Sequence, residues 1–210
     1  YDHRHVYCDV LVIGAGPAGL VAALNAARAG ARVILADEHD RVGGHLLSEP
    51  GSDPWIQRQL AELSSMDNVT VLTRSTVFGA YHDHFFGLVE RVTDHLPPQQ
   101  RPRFVPRQRF WQIRARQAIM ATGMIERPLV FHLNDRPGIM LAGAVRRYLH
   151  RHGVLAGRRP VIATNNNSAW QTAFDLAEAG TSPVAIIDTR QAPPAALRQR
   201  AETLGIEVLA

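Results

Sequence analysis

Lysine is absent from this 210-residue sequence, so all 23 of its basic residues are arginines. Without a lysine, the chain has no Schiff-base nucleophile, no anchor for pyridoxal phosphate and no P-loop lysine, which excludes those three kinds of site. The single cysteine, Cys8, cannot form an internal disulfide or supply a CxxC metal site. We therefore expect a reducing, cytoplasmic setting, with Cys8 as a small buried residue of the first strand.

Long hydrophobic runs are absent as well. No stretch reaches the roughly 18 apolar residues that a membrane-spanning helix needs, so we expect no membrane partner. The formal net charge is +4, and basic residues cluster at Arg101, Arg103, Arg107, Arg109, Arg114 and Arg116. We expect no nucleic-acid partner for this cluster. We interpret these arginines as a solvated face or as a contact with an acidic partner protein.

The strongest motif is Gly14-Ala15-Gly16-Pro17-Ala18-Gly19, which follows an apolar run at residues 8–13 and opens a stretch with helical spacing. In such a fingerprint Gly14 permits a tight turn, Gly16 lets the backbone approach a pyrophosphate, and Gly19 lets the helix pack closely on the strand. The N–H groups at the start of the helix and its positive dipole end favour phosphates. The motif predicts a dinucleotide-binding site.

Acidic and glycine residues further along complete this predicted site. Asp37 ends the second strand, where its carboxylate can accept hydrogen bonds from adenosine ribose hydroxyls, and Glu38 adds a charge that disfavours the 2′-phosphate of NADP. Gly43-Gly44 suits a second close approach of the backbone to the dinucleotide, or an ordinary loop turn. His45 can reach the cofactor or face solvent. Thr122-Gly123 ends a returning strand and can pass under the cofactor's phosphates or adenine, or be purely structural.

Alternating strand and helix patterns predict an α/β fold with a Rossmann-type dinucleotide-binding domain in residues 1–156. Strand patterns lie at residues 8–13, 32–36, 69–72, 118–121, 161–164, 184–187 and 206–209. Helical spacing is found at residues 19–29, 53–65, 141–152, 168–179 and 194–204. Mixed short strands between residues 76 and 116 indicate an antiparallel insertion. Residues 157–210 are expected to form a truncated second Rossmann-like unit.

Other polar clusters do not predict a second site. In the second unit Thr164-Asn165-Asn166-Asn167-Ser168 occupies the place of a glycine fingerprint, where asparagine side chains would crowd a pyrophosphate but make good helix caps. His82-Asp83-His84 is a metal candidate without a third ligand nearby in sequence, so we interpret it as a polar turn. No Ser/His/Asp triad or carboxylate pair stands out, and we predict no catalytic residue in this chain.

Several segments together resemble the alpha subunit of heterotetrameric sarcosine oxidases. They are residues 9–20, 76–79, 90–96, 107–111, 121–131, 134–138 and 164–166, and the similarity extends over essentially all 210 residues. The resemblance implies a subunit that binds NAD in its first Rossmann domain. It also implies that Ala18, Asp37, Glu38, His45 and Val77 fall where the family contacts NAD. Two residues depart from the family's pattern, His45 in place of a threonine and His39 in place of an arginine-like neighbour.

The resemblance also implies how the subunits and cofactors of the complex divide the reaction. In that family the amine is oxidised at an FAD on the beta subunit, electrons pass to an FMN held between alpha and beta, and oxygen is reduced to peroxide. Gamma and delta subunits complete the complex. A folate-binding region toward the C-terminus of the alpha subunit and an N-terminal ferredoxin-like extension lie outside these 210 residues. The chain alone is therefore expected not to be catalytic.

Two alternatives stay open. The alpha subunits of opine oxidases and of dye-linked proline dehydrogenases place FAD in the same fold, and the glycine fingerprint cannot separate FAD from NAD. In a third interpretation the chain is a non-catalytic scaffold with an empty site, which holds partner subunits together.

Overall fold

The computed structural model describes residues 2–210 and divides the chain into two compact units, one ending at Met124 and the other beginning at Ile125. The sequence predicts this boundary later, between residues 156 and 157. The difference arises from the helix predicted at residues 141–152, since its apolar residues Ala142, Val145 and Leu149 pack against the core of the second unit. The helix therefore belongs with the residues that follow it.

The first unit begins with a parallel α/β arrangement. Its elements are β1 (Asp2–Ile13), α1 (Pro17–Arg28), β2 (Val33–Ala36), α2 (Asp53–Ser64) and β3 (Val69–Leu72). The three strands pair in parallel in the order β3-β2-β1. All four residues of β2 are buried, as expected for a strand covered on both faces.

Three further strands complete a six-stranded sheet in the order β3-β2-β1-β6-β5-β4. They are β4 (Ser75–Tyr81), β5 (Phe85–Arg91) and β6 (Gln108–Met120). The 13-residue β6 pairs antiparallel with β5 through its first half and parallel with β1 along most of its length. The predicted antiparallel insertion is present, but its last strand and the predicted returning strand at residues 118–121 form one continuous strand.

The strand β1 begins at Asp2, six residues before the predicted start at Cys8. Its first residues are polar and lack an apolar run, so local pattern does not reveal them. They are extended because they pair with β6, as in the register that places Tyr7 opposite Arg114. The additional length of strand is thus a product of pairing across more than 100 residues of sequence.

Apolar residues cover both faces of this sheet. On one face Leu20 and Leu24 of α1 pack with Leu35, Ile56 and Leu63. On the other face a second cluster contains Cys8, Leu11, Ile34, Leu88 and Ile113. The central strands are therefore packed on both faces, and this packing fixes their carboxyl ends.

The thiol of Cys8 lies in this second cluster and is 1% exposed. Burial raises the pKa of the Cys8 thiol to about 11, and the neighbouring charge of Asp9 contributes to the rise. Cys8 is thus the small buried residue that the sequence predicts.

We expect no labelling of the native chain by a thiol reagent such as Ellman's reagent at pH 8, because the thiol is buried and protonated. One equivalent should react after unfolding in guanidinium chloride, since the sequence has one cysteine. The unfolded sample is the control, and rapid stoichiometric labelling of the native chain would contradict the burial of Cys8.

The second unit contains a three-stranded parallel sheet in the order β7-β8-β9. Its elements are α3 (Ala142–His152), β7 (Val161–Thr164), α4 (Ser168–Glu178), β8 (Ala185–Asp188), α5 (Ala195–Thr203) and β9 (Glu207–Leu209). Trp170, Phe174 and Ile186 form its fully buried centre. None of the helices in residues 2–210 is long and apolar enough to cross a bilayer.

A buried carboxylate fastens α3 to α4. Asp175 accepts hydrogen bonds from Arg146 Nε at 2.6 Å and from Gln171 Nε2 at 2.6 Å, and lies 2.8 Å from His150 Nε2. Burial by itself would raise the pKa of Asp175, but the hydrogen bonds from Gln171, His150 and Arg146 outweigh it and lower the pKa. These contacts hold the charged carboxylate inside the second unit.

Candidate functional site

Three loops of the first unit converge at the carboxyl ends of the parallel strands. The fingerprint loop, residues 14–16, joins β1 to α1, Gly43-Gly44 lies after β2, and Thr122-Gly123 follows β6. Gly43 N–H donates to the carbonyl of Ala15 at 2.7 Å, which ties the second loop to the first. In open α/β sheets, ligands bind at this edge, where neighbouring strands lead to loops on opposite faces.

Close packing explains most of the glycines in these loops. Gly14 has φ 101°, and a side chain there would overlap the carbonyl oxygen of Ala121. A side chain at Gly19 would overlap the carbonyl oxygen of Gly14, so α1 rests directly on the turn that precedes it. At Gly44, with φ 57°, a Cβ would lie 2.9 Å from the Cα of Gly16. Any other residue at these positions must displace backbone.

Gly16 differs from the other glycines of the site. Its φ of −71° and ψ of −176° suit any residue, and a Cβ would meet no atom closer than the Cα of Gly44 at 3.9 Å. Within residues 2–210, the N–H groups of Gly16, Ala18 and Gly19 have no protein acceptor. The space in front of Gly16 is therefore open and faced by free donors at a helix N-terminus, an arrangement that suits a phosphate.

The carboxylate of Asp37 holds the fingerprint loop. It is 9% exposed, and its Oδ2 accepts a hydrogen bond from Ala15 N–H at 2.6 Å. Its Oδ1 accepts from His39 N–H at 2.8 Å and lies 3.1 Å from His39 Nδ1. A carboxylate offers about four acceptor positions, so Oδ2 retains capacity for one more donor. The sequence predicts Asp37 at this strand end, but the bonds to Ala15 and His39 come from the structure.

The remaining predicted site residues are placed as follows. Five of them lie around the loops and are at least partly exposed, namely Ala18, Glu38, His45, Thr122 and Gly123. The carbonyl of Glu38 accepts a hydrogen bond from Arg91 Nη2 at 2.8 Å.

Val77 is the outlier among the predicted site residues. It is partly buried in β4 and packs against the cluster that contains Leu88. The strand β4 begins beside Asp37, because Ser75 N–H donates to the Asp37 carbonyl at 2.7 Å. The structure therefore brings the start of β4 to the acidic strand end, with the side chain of Val77 directed into the core.

His39, which stands where the resemblance leads us to expect an arginine-like neighbour of the NAD site, is held at Asp37. Its backbone and ring both contact the Asp37 carboxylate. The signal that could have indicated it is the spacing, because an aspartate often accepts a hydrogen bond from the backbone two residues later. The ring contact depends on tertiary geometry and has no local signature.

The equivalent edge of the second unit is filled by the chain's own side chains. Asp188 ends β8, as Asp37 follows β2, and accepts hydrogen bonds from Trp170 Nε1 at 2.8 Å and from Arg190 Nη2 at 2.7 Å. The hydrogen bonds from Arg190 lower the pKa of Asp188 to about 2. Asn166 Oδ1 accepts from Ser168 N–H at 2.9 Å, whereas the N-cap residue of α4, Asn167, makes no side-chain capping bond.

Two other clusters of polar residues form a turn and ion pairs within the first unit. His82-Asp83-His84 forms the turn between β4 and β5, with Asp83 at φ 58° and His84 at φ 57°. Over residues 2–210 no group of three or more His, Cys, Asp or Glu residues could hold a metal ion. In the arginine cluster, Arg109 contacts Asp2 and Glu90, and Arg107 contacts Asp94. These ion pairs lie within the unit.

Comparison with known proteins identifies the family to which this chain is similar. Residues 9–130 match the family described as FAD dependent oxidoreductase. The alpha subunit of the sarcosine oxidase of Corynebacterium sp. (strain P-1) is 48% identical over 215 residues, with 99% of this chain and 22% of that protein covered. Its counterpart from Rhizobium meliloti (strain 1021) is 50% identical over 91% of this chain and 20% of that protein. The chain thus spans about a fifth of these relatives, to which it is homologous over nearly its whole length.

More distant similarities agree on the fold. One subunit of the opine oxidase of Agrobacterium tumefaciens (strain Ach5) is 32% identical over 89% of this chain and 38% of that protein. Among solved structures, L-proline dehydrogenase from P. horikoshii has a TM-score of 0.71 at 22% identity, over 90% of this chain and 37% of that one. The thioredoxin reductase of T. acidophilum has a TM-score of 0.65 at 19% identity, over 97% of this chain and 64% of that one. The α/β dinucleotide-binding fold predicted from the sequence is confirmed.

Proposed function

The chain belongs to the FAD-dependent oxidoreductase family, and from this premise we propose that it is the NAD-binding part of the alpha subunit of a sarcosine oxidase. In this role it binds one dinucleotide at the carboxyl ends of β1, β2 and β6. The oxidative demethylation of sarcosine to glycine, with peroxide formation, then takes place on or at partner subunits. Those partners are beta, gamma and delta subunits, with FMN and FAD held mostly outside this chain.

The observation that carries the proposal is the open space at Gly16. Neither the backbone angles nor the packing of the protein requires a glycine there, whereas both neighbouring glycines of the fingerprint are required. A glycine that the fold does not need, in front of free N–H groups at a helix start, is explained by a ligand that approaches the backbone closely.

Each part of the site has a role toward a bound dinucleotide. The N–H groups of Gly16, Ala18 and Gly19 would donate to the pyrophosphate, helped by the dipole of α1. The free acceptor position on Asp37 and the exposed carboxylate of Glu38 would accept from the adenosine ribose and would repel a 2′-phosphate. A bound nicotinamide or flavin supplies redox chemistry, and the chain supplies binding and orientation.

Identification of the nucleotide tests the proposal. The purified chain should release about one NAD on denaturation, or bind added NAD in calorimetry. A flavin absorbance band at about 450 nm in the native protein would show that the bound nucleotide is FAD and not NAD. Release of neither nucleotide, with no binding of either on titration, would leave the scaffold interpretation.

FAD is the second candidate because specific observations favour it. The matching family is described as FAD dependent, and one opine oxidase subunit is 32% identical over most of this chain. The same fingerprint and strand-end acid serve both nucleotides, so the distinction depends on contacts beyond the adenosine half. In that case the chain would be the FAD-binding alpha subunit of an opine oxidase or a dye-linked dehydrogenase.

Replacement of Asp37 by Asn should weaken binding of the nucleotide about tenfold or more, because the ribose would lose a charged acceptor. It should also lower the free energy of unfolding by about 1–3 kcal/mol, since the buried bond to Ala15 N–H is lost or weakened. The matched control is Glu38→Gln, an exposed neighbour that should leave stability unchanged. Calorimetry and urea unfolding provide the two measurements, and unchanged affinity in D37N would remove Asp37 from the site.

We expect the chain by itself to oxidise no amine. Turnover requires a reactive cofactor atom set against a substrate, and in this proposal that juxtaposition comes from a partner protein. The assay incubates the purified chain with sarcosine, added FAD and oxygen and measures peroxide, with the complete oxidase complex as positive control. Peroxide above the no-protein background would show that the active site lies in this chain.

A further inference from the structure

The carboxylate of Asp37 has fewer free acceptor positions than an adenosine ribose can use. Its Oδ1 accepts from His39 N–H at 2.8 Å and lies 3.1 Å from His39 Nδ1, and its Oδ2 accepts from Ala15 N–H at 2.6 Å. A carboxylate only accepts, so the contact with His39 requires a proton on Nδ1. Of about four acceptor positions, the donors of residues 2–210 leave one, on Oδ2. The ribose carries a 2′- and a 3′-hydroxyl, and both can donate to the carboxylate only if a protein donor leaves.

Two of the three protein donors are backbone groups that are fixed in place. Ala15 is fully buried in the fingerprint loop. The turn that carries His39 is held by the start of β4. There the carbonyl of His39 accepts from Arg74 N–H at 2.7 Å, and the carbonyl of Asp37 accepts from Ser75 N–H at 2.7 Å. Neither backbone donor can withdraw from the carboxylate unless the main chain moves.

The imidazole ring of His39 is the donor that can leave. Its side chain is 41% exposed, whereas that of Asp37 is 10% exposed. Rotation about the side-chain bonds takes the ring off the carboxylate and leaves the bond from His39 N–H in place. The contact of the ring is the longest of the three, and a partly exposed contact of this kind contributes little net stability, because water replaces the lost partner.

The second unit shows the same arrangement in a closed form. Asp188 ends β8, and the N–H of Arg190, two residues later, donates to its Oδ1 at 3.0 Å. The guanidinium of Arg190 donates to both carboxylate oxygens, at 2.9 and 2.7 Å, and Trp170 Nε1 donates at 2.8 Å. These donors fill all of the roughly four acceptor positions. In the unit that lacks the glycine fingerprint, the side chain two residues after the aspartate thus closes the carboxylate to a ligand.

We propose that the ring of His39 competes with the adenosine ribose for the carboxylate of Asp37, and that a bound nucleotide displaces the ring. The inference rests on the proposed function, which places the ribose at Asp37. With the ring in place, the carboxylate accepts from one ribose hydroxyl. With the ring turned away, it accepts from both. His39 therefore lowers the affinity of the site below that of a chain whose residue 39 cannot reach the carboxylate.

Removal of the ring should strengthen binding, whereas loss of a residue that contacts or positions the nucleotide weakens it. We expect His39→Ala to bind NAD about fivefold more tightly than wild type in calorimetry, an effect of about one hydrogen bond. The variant keeps the N–H that donates to Oδ1, so its melting temperature should stay within about 3 °C of that of wild type. The matched control is His82→Ala, which removes an exposed histidine ring between β4 and β5 and should change neither quantity.

An NAD analogue that lacks the 2′-hydroxyl of the adenosine ribose tests the competition itself. Its 3′-hydroxyl can use the free position on Oδ2, so H39A and wild type should bind the analogue within about twofold of each other. An NAD affinity in H39A that is equal to or weaker than that of wild type would overturn the inference. So would an equal gain for NAD and for the analogue. FAD and its 2′-deoxyadenosine analogue replace this pair if the protein holds a flavin.

Nucleotide binding by the wild-type chain judges the proposed function separately. If wild type binds NAD or FAD and H39A shows no gain, only the competition by His39 is refuted. If neither wild type nor H39A binds either nucleotide, the proposed function and the inference are both wrong.

Discussion

Replacement of Gly16 by Ala is expected to weaken binding of the dinucleotide at least 30-fold, equivalent to about 2 kcal/mol, while the fold is kept. The Cβ would enter the space that we assign to the pyrophosphate. It would meet no protein atom closer than 3.9 Å, and the backbone angles of Gly16 suit alanine. The stability change should therefore stay within about 1 kcal/mol, the cost of a poorer helix cap.

Calorimetric titration with NAD, and with FAD as the alternative, measures the affinity of G16A, and guanidinium unfolding measures its stability. Gly157→Ala is the matched control, because Gly157 also has open space around its Cα and no left-handed φ. It lies in the second unit and should change neither quantity by much. If G16A bound the nucleotide as tightly as wild type, the space at Gly16 would not be the phosphate site.

Replacement of Gly19 by Ala, unlike that of Gly16, should act on stability and destabilise the fold by about 3 kcal/mol. Alanine in a helix is ordinarily more favourable than glycine by about 1 kcal/mol, so the sign of the effect is diagnostic. Here the new Cβ would overlap the carbonyl oxygen of Gly14, and backbone cannot move aside as the end of a side chain can. Either α1 must shift away from β1 or the fingerprint loop must open.

Urea unfolding of G19A and of Gly143→Ala makes the comparison. Gly143 is also in a helix, and a Cβ there would lie 2.7 Å from Glu126 Oε2, the end of a flexible side chain that also accepts from Gly143 N–H at 2.8 Å. We expect G143A to change stability by less than about 1 kcal/mol. A G19A protein as stable as wild type would refute the close contact of α1 with the turn at Gly14.

Elements with a strong local pattern are the ones that the sequence predicts well. The bounds of β3 and β7 coincide with those predicted, and helices α1 to α5 differ by only one or two residues. Features that depend on pairing across the sequence were not accessible in this way. The polar start of β1 is a strand only because β6 lies beside it, and the unit boundary follows from which core accepts α3. Neither leaves a mark in local periodicity.

The same distinction between local pattern and tertiary contact applies to the candidate site. Its glycines and Asp37 could be identified from spacing, since each has a local backbone or charge requirement. The hydrogen bond from Ala15 to Asp37, the contact of His39 and the contrast between Gly16 and its neighbours depend on atoms brought together by the fold. Whether Gly16 is needed by the protein or by a ligand can be decided only when the surrounding atoms are in place.

The long pairing of β1 with β6 has a consequence for the order of folding. The partners of β1 on one side, β2 and α1, are close in sequence, but the contact of Gly14 with Ala121 closes a loop of roughly a hundred residues. Contacts of such separation form slowly and late. A ribosome-bound chain that has not yet released β6 would carry the fingerprint without its neighbour, so nucleotide capture during synthesis should begin only once residue 121 has left the exit tunnel.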